Sequence, residues 1–260
     1  MRVLLAVDSI TTLDILIDEM TARSWPSGTE AQVVSIVDDA DVPLKVWREV
    51  GYGVRAVQRE LERRGEQISA LAVERLKKIG ISSQVVIMRG NPEFLISYAA
   101  RKWPADLILI RAHNRKDFRN WLLGSVAKSV VETAPCSVEV VRAGNKEEAN
   151  TAQRGFRVLL ATDRFVASKT AAHAIAEMTL SENTEVRVVA GGSARQILAQ
   201  ARRWDADLIV LRTSERRGLR RWLFGNIAAT VANRAHCSVR VIRGKPAGSA
   251  SGLRDSKRAA

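Results

Sequence analysis

Short runs of Val, Ile, Leu and Ala alternate along the chain with longer segments that mix apolar and charged positions. In the first half, these runs predict strands at residues 2–7, 31–37, 84–88, 106–110 and 137–141. The segments between them have apolar positions at helical spacing and predict helices at 11–23, 54–78, 92–102 and from about 124. Strands that alternate with helices favour βαβ units around a parallel sheet with right-handed crossovers.

The pattern then occurs a second time. Residues 101–142 and 202–243 share 20 identities in 42 positions at a constant offset of 101, which indicates an internal duplication. Residues 3–8 match 158–163 at an offset of 155, so the second copy is 54 residues shorter (155 − 101). It lacks one strand and the long helix, and its predicted strands are 157–161, 185–189, 207–211 and 238–242. We expect a complete unit at 1–143, a linker at 144–155, a truncated unit at 156–243 and a disordered basic tail at 244–260.

The composition narrows the class of protein. The formal net charge is +13, which favours encounter with anions such as nucleotides. Two cysteines, Cys136 and Cys237, do not make a disulfide framework, and we expect both to be buried and structural. His113, His173 and His236 show no metal-ligand spacing, so we expect no metal site and no catalytic residue. No apolar run is long enough to span a membrane, and the apolar start is too short for a signal peptide, which predicts a cytoplasmic protein.

Five short motifs resemble the universal stress protein family, across residues 1–243. They are Ala6-Val7-Asp8, Gly90-Asn91-Pro92, Ala105-Asp106-Leu107-Ile108, Leu122-Leu123-Gly124-Ser125-Val126 and Ala134-Pro135-Cys136-Ser137-Val138. The resemblance implies an α/β fold with two tandem Rossmann-like units, similar to the adenine nucleotide α hydrolases. In members that bind ATP, the fourth strand leads into a loop of pattern Gly-x2-Gly-x9-Gly-Ser/Thr, and the aspartate of the first strand lies near the adenosine. Glycines in such a loop let the backbone approach the phosphates.

The glycine loop is degraded in both copies. At its four positions the first copy has Arg111, Asn114, Gly124 and Ser125, and the second has Arg212, Glu215, Gly225 and Asn226. The resemblance therefore implies a degenerate nucleotide site in the first copy, made of Asp8, Val37, Gly90, Arg111, Asn114, Gly124 and Ser125. Arg111 either fills the vacated pocket and pairs with Asp8, which we favour, or contributes to an altered anion site. We expect no bound cofactor, with ATP in the first copy as the alternative.

Three functions remain open. The first is a non-enzymatic role in stress response or regulation through an unidentified protein partner, with nucleotide binding weak or lost. The second is an adenine-nucleotide sensor that uses the first copy. The third is nucleic-acid binding through basic loops at 115–119 and 216–221, each beside a tryptophan, although a solvated basic loop is the favoured interpretation. We also predict that strands 137–141 and 238–242 pair with each other, because pairing hides their exposed edges. This would give an intramolecular pseudo-dimer, and a homodimer is a further possibility.

Overall fold

The computed structural model describes residues 1–38, 54–112, 123–142, 154–162, 183–213 and 220–243. The first copy contains β1 (Arg2–Val7), α1 (Ile10–Thr21), β2 (Glu30–Val37), α2 (Val54–Lys78), β3 (Ser82–Arg89), α3 (Pro92–Lys102), β4 (Leu107–Arg111), α4 (Ser125–Thr133) and β5 (Ser137–Val141). The second copy contains β6 (Phe156–Thr162), β7 (Thr184–Ala190), α5 (Ala194–Arg203), β8 (Leu208–Thr213), α6 (Arg220–Arg234) and β9 (Ser238–Arg243).

The predicted strands and helices of the first copy are confirmed, with ends that differ by two residues at most. Local capping sets several of these ends. Ser9 caps α1 by accepting a hydrogen bond from the backbone N–H of Thr12 at 3.2 Å. Asn91 caps α3 in the same way, with Pro92 at the first helical position. The caps therefore satisfy N–H groups that each helix leaves unpaired at its start.

The strands of the described residues form one nine-stranded sheet in the order β3-β2-β1-β4-β5-β9-β8-β6-β7. Neighbours within each copy run parallel, as the strand–helix alternation predicts. The two copies meet through β5 and β9, which pair antiparallel, with Glu139 opposite Arg240. The predicted pairing of the two last strands is thereby confirmed, and each copy closes the open edge of the other.

Among the described residues, helices cover both faces of the sheet in the first copy and one face in the second, and they create separate cores. On one face, side chains from α3, α4, α5 and α6 form a single apolar cluster that runs through both copies and includes Leu4, Ile108, Leu159 and Ile209. On the other face of the first copy, α1 and α2 cover residues such as Leu5. Burying one leucine side chain contributes roughly 1.5–3 kcal/mol, so the shared cluster fixes the two copies together.

The Ala-Asp-Leu-Ile motif has a structural role in both copies. Asp106 precedes β4 and accepts a hydrogen bond from the backbone N–H of Arg2 at 2.9 Å, which ties β4 to the start of β1. Asp207 does the same for Arg157 at 2.8 Å. Asp207 is buried and also receives two hydrogen bonds from Arg154, at 3.0 and 3.2 Å. The motif thus aligns neighbouring strands, and the second copy reinforces it with an ion pair.

The second copy closes the gap left by its missing strand. In the first copy β2 lies between β1 and β3, whereas in the second copy β7 pairs directly with β6. In both copies, the glycine that follows the outermost strand (β3 or β7) donates a hydrogen bond to the end of the neighbouring strand. Gly90 donates its N–H to the carbonyl of Val37 at 3.0 Å, and Gly191 donates to the carbonyl of Thr162 at 2.7 Å. Within the described residues, the part of the sheet that the second copy contributes is therefore narrower by one strand but has no break.

Candidate functional site

The predicted site residues of the first copy lie at the carboxyl edge of the sheet. Asp8 follows β1, Val37 ends β2, Gly90 follows β3 and Arg111 ends β4. Gly124 lies directly before α4, whose first residue is Ser125. Parallel strands bring their carboxyl ends to one edge, and ligands of such sheets bind where the strand order reverses, here between β1 and β4. Asn114 lies outside the described residues.

Asp8 is held by two hydroxyl groups of the first turn of α1. Ser9 donates to Asp8 Oδ1 at 2.9 Å, and Thr12 donates to the same oxygen at 2.6 Å. The Thr12 side chain is buried whereas Asp8 is exposed, so the carboxylate is fixed at the surface by a buried support. Thr12 is a residue that sequence reasoning missed. The only signal is its position in the first turn of α1, three residues after the N-cap Ser9, where its hydroxyl can reach back to Asp8.

Arg111 points into this group of residues. Its Nη1 lies 3.5 Å from the hydroxyl oxygen of Thr12, so the guanidinium contacts Asp8 through that hydroxyl. The contact at Thr12 is long, and the Nε atom of Arg111 is buried with no hydrogen-bond partner within the described residues. Burial of an unpaired guanidinium nitrogen costs free energy. Arg111 therefore occupies the end of β4 without a full set of partners.

The two glycines of the site differ in whether their positions require glycine. Gly90 has a φ of +130°, a backbone conformation that side chains rarely adopt, and a Cβ there would lie 3.4 Å from Leu95 Cδ1. Gly124 has a φ of −61°, which any residue can adopt, and a Cβ would meet nothing within 4 Å among the described residues. Glycine at 124 therefore leaves open space beside the start of α4. Ser125 is exposed there, and no side chain caps the helix.

Comparison with known proteins identifies the family. A sequence profile described as the universal stress protein family matches residues 1–142 and 181–243. This chain belongs to that family. A curated relative, universal stress protein A homolog 2 of Coxiella burnetii, is 33% identical over 100 residues. That match covers 35% of this chain and 62% of the relative, so the chain spans less than two thirds of its length.

Solved universal stress proteins share the fold over nearly the whole chain. The structure of a universal stress protein from Archaeoglobus fulgidus has a TM-score of 0.59 at 18% identity, and the match covers 93% of this chain and 96% of that one. A putative universal stress protein from Pseudomonas aeruginosa also has a TM-score of 0.59, at 15% identity, with 94% and 93% covered. At this identity the likeness concerns the fold.

The second copy of this universal stress protein arranges the equivalent positions differently. Gly225 and Asn226 lie inside α6, which begins at Arg220, whereas Gly124 and Ser125 lie at the start of α4. The equivalent of Ser125, the first residue of α4, is Asn226, so α6 begins six residues earlier than the repeat alone would place it (226 − 220). The backbone N–H groups that α6 leaves unpaired at its N-terminus therefore lie away from Gly225. Glu215 lies outside the described residues.

Other candidate chemistry receives no support from the geometry of the described residues. Burial raises the pKa of the Cys136 thiol to about 12, so the thiol is protonated at neutral pH and is a poor nucleophile. Cys237 is buried as predicted, whereas Cys136 is only partly buried, and both cysteines are unbridged. Among the described residues, no group of three His, Cys, Asp or Glu side chains could hold a metal ion, and no helix is long and apolar enough to cross a membrane. His113, His173 and the predicted basic loops at 115–119 and 216–219 lie outside the described residues, whereas Arg220 and Arg221, predicted as loop, form the start of α6.

Proposed function

We propose that this universal stress protein acts in the stress response as a non-enzymatic binding protein, and that its first copy binds ATP weakly or not at all. The observation that carries the proposal is the placement of Arg111. A glycine at this position would let the backbone approach a phosphate, whereas the arginine fills that space and directs its guanidinium toward Thr12. A ligand would have to displace this side chain before its phosphates reached the backbone.

The second copy supports the same proposal. A nucleotide pocket of this fold needs a second strand as a wall and a helix N-terminus at the glycine loop. In the second copy β7 replaces the missing strand, and α6 begins at Arg220 instead of near Gly225. In the second copy, neither the wall strand nor the helix start has the position that it has in the first copy. We infer that the second copy serves as an internal structural partner.

A protein partner is the remaining route to function. Phe94 and Tyr98 lie one turn apart on α3, and their rings stack with centroids 6.1 Å apart. Their exposed fractions are 60% and 37%, so both rings reach the surface along the first two turns of α3. Exposed aromatic side chains are enriched where proteins bind one another. These two residues are our candidates for the contact with a partner.

Isothermal titration calorimetry of ATP into the wild type and Arg111→Gly tests the role of Arg111. If the side chain blocks the site, Arg111→Gly binds ATP at least about tenfold more tightly, which corresponds to about 1.4 kcal/mol. Arg2→Ala is the matched control, because it removes the same charge from the opposite edge of the sheet. Tighter binding by both variants, or weaker binding by Arg111→Gly than by the wild type, would refute the proposal.

The second candidate function is an adenine-nucleotide sensor in the first copy. Two features of the described residues favour it: the open space beside Gly124, and the exposed Ser125 at a helix start that no described side chain caps. Free N–H groups at a helix N-terminus favour an anion. In this alternative Arg111 is a phosphate ligand, and Asp8 and Gly90 contact the rest of the nucleotide. Micromolar binding by the wild type that Ser125→Ala and Arg111→Gly both weaken would establish the sensor instead.

A further inference from the structure

The junction between β5 and β9 has an internal two-fold relationship. Residues of β5 and β9 that are equivalent in the repeat differ by 101, so Val138 corresponds to Val239 and Glu139 to Arg240. The antiparallel register pairs each strand with its own equivalent about a central position. The facing pairs are Val138–Val241, Glu139–Arg240 and Val140–Val239. Glu139 and Arg240 therefore occupy the same place in the two copies and face each other at the centre.

The contacts flanking the centre are the same on both sides. The backbone N–H of Arg142 donates to Ser238 Oγ at 3.2 Å, and the equivalent N–H of Arg243 donates to Ser137 Oγ at 3.2 Å. The side chain of Arg142 donates to the carbonyl of Ala232, and that of Arg243 to the carbonyl of Val131, which is the equivalent residue. By shape and backbone pairing alone, two identical copies of either strand would fit each other as well.

The charges break this symmetry at the centre. Glu139 is fully buried and Arg240 is 6% exposed, and Arg240 Nε donates to Glu139 Oε2 at 2.6 Å. Arg23 also donates to both oxygens of Glu139, through Nη1 to Oε2 at 3.0 Å and through Nη2 to Oε1. Glu19 pairs with Arg23. The four side chains carry two positive and two negative charges, so their net charge is zero.

We propose that the buried Glu139–Arg240 pair selects the partner of each edge strand: β5 accepts the chain's own β9 and rejects the β5 of a second copy. Two β5 strands paired in the same register would bring together six charged side chains, two each of Glu139, Glu19 and Arg23. The net charge of these six side chains would be −2. Two β9 strands would place Arg240 opposite Arg240. Like charges directly opposite on neighbouring strands are destabilising, and buried charges without partners are costly.

A mixing experiment with two full-length charge-reversal variants tests this selection. In Glu139→Arg and in Arg240→Glu, the central pair within one chain carries like charges. Between one chain of each variant, every pairing of these strands is complementary. Each protein is unfolded and refolded alone and as an equimolar mixture, and the masses are measured by native mass spectrometry. We expect the wild type to refold as a monomer, each variant alone to give little folded monomer, and the mixture to give a heterodimer of two chains.

A charge-swapped double variant keeps the test decisive if the single variants do not fold. Glu139→Arg combined with Arg240→Glu restores a complementary pair within one chain and a net charge of zero among the four side chains, and adding Arg23→Glu with Glu19→Arg keeps position 23 complementary to position 139 as well. We expect it to recover the folded monomer that the single variants lose. The proposal is overturned if both single variants refold as monomers with the yield of the wild type. It is also overturned if the swap folds no better than the single variants and the mixture yields no heterodimer.

Discussion

Replacing Glu139 with glutamine should remove the loss of folding stability at low pH that protonation of this carboxylate causes. Burial raises the pKa of this carboxyl, but the adjacent Arg23 and Arg240 outweigh burial and lower the pKa from 4.5 to about 2. A folded-state pKa below the unfolded value stabilises the fold above the unfolded pKa, and this contribution is lost as the pH falls toward about 2. A shift of this size corresponds to roughly 3 kcal/mol, at about 1.4 kcal/mol per unit of pKa.

The assay is equilibrium unfolding in urea at a series of pH values from about 6 down to about 2. At the upper end, Glu139→Gln should be less stable than the wild type by about 3–5 kcal/mol, because two buried guanidinium groups lose their counter-charge. As the pH falls, this difference in the free energy of unfolding should shrink by roughly 3 kcal/mol, because protonation of Glu139 removes the same counter-charge from the wild type. Glu74→Gln is the control, because its partner Lys78 and Glu74 itself are exposed, and it should leave the unfolding midpoint almost unchanged. A gap that stays constant over the whole range would refute the reasoning.

Three further changes have expected outcomes. Asp207→Asn should lower the free energy of unfolding by about 3 kcal/mol because it breaks a buried ion pair, whereas the equivalent Asp106→Asn should cost about 1 kcal/mol; urea unfolding of both variants measures the difference. Gly155→Ala should lower the melting temperature more than Gly28→Ala, because both glycines have a positive φ but only the Cβ at 155 would lie 2.4 Å from a backbone oxygen, that of residue 183. The Cys136 thiol, with its pKa raised to about 12, should react with a thiol reagent much more slowly in the folded protein than after unfolding; fast reaction in the folded protein at neutral pH would contradict the raised pKa.

The strands and helices could be predicted from the sequence because burial controls their pattern. The runs at β1 and β4 are apolar at nearly every position, as expected for strands covered on both faces. The pairing of β5 with β9 also followed from a local argument, since both are last strands with an open edge. These features depend on residue type and order, which the sequence contains directly.

The details of the site and of the junction depend on register and rotamer, which the sequence does not contain. Glu139 and Arg240 differ in the repeat like many other pairs, and only the antiparallel register makes them face each other. Thr12 has no motif, and its role comes from the turn of α1 that places it beside Asp8. The start of α6 at Arg220 does not follow from the repeat, because the equivalent helix of the first copy begins at Ser125.

The most direct test of the central claim is hydrogen–deuterium exchange of the wild-type protein with and without saturating millimolar ATP. Amide protection in the segments 107–112 and 123–133 reports on the end of β4 and the start of α4, where phosphates would bind. Because Arg111 occupies this position, we predict that ATP leaves the exchange of both segments unchanged. Protection of both segments by ATP, reversed by Ser125→Ala, would contradict the account and identify a working nucleotide site.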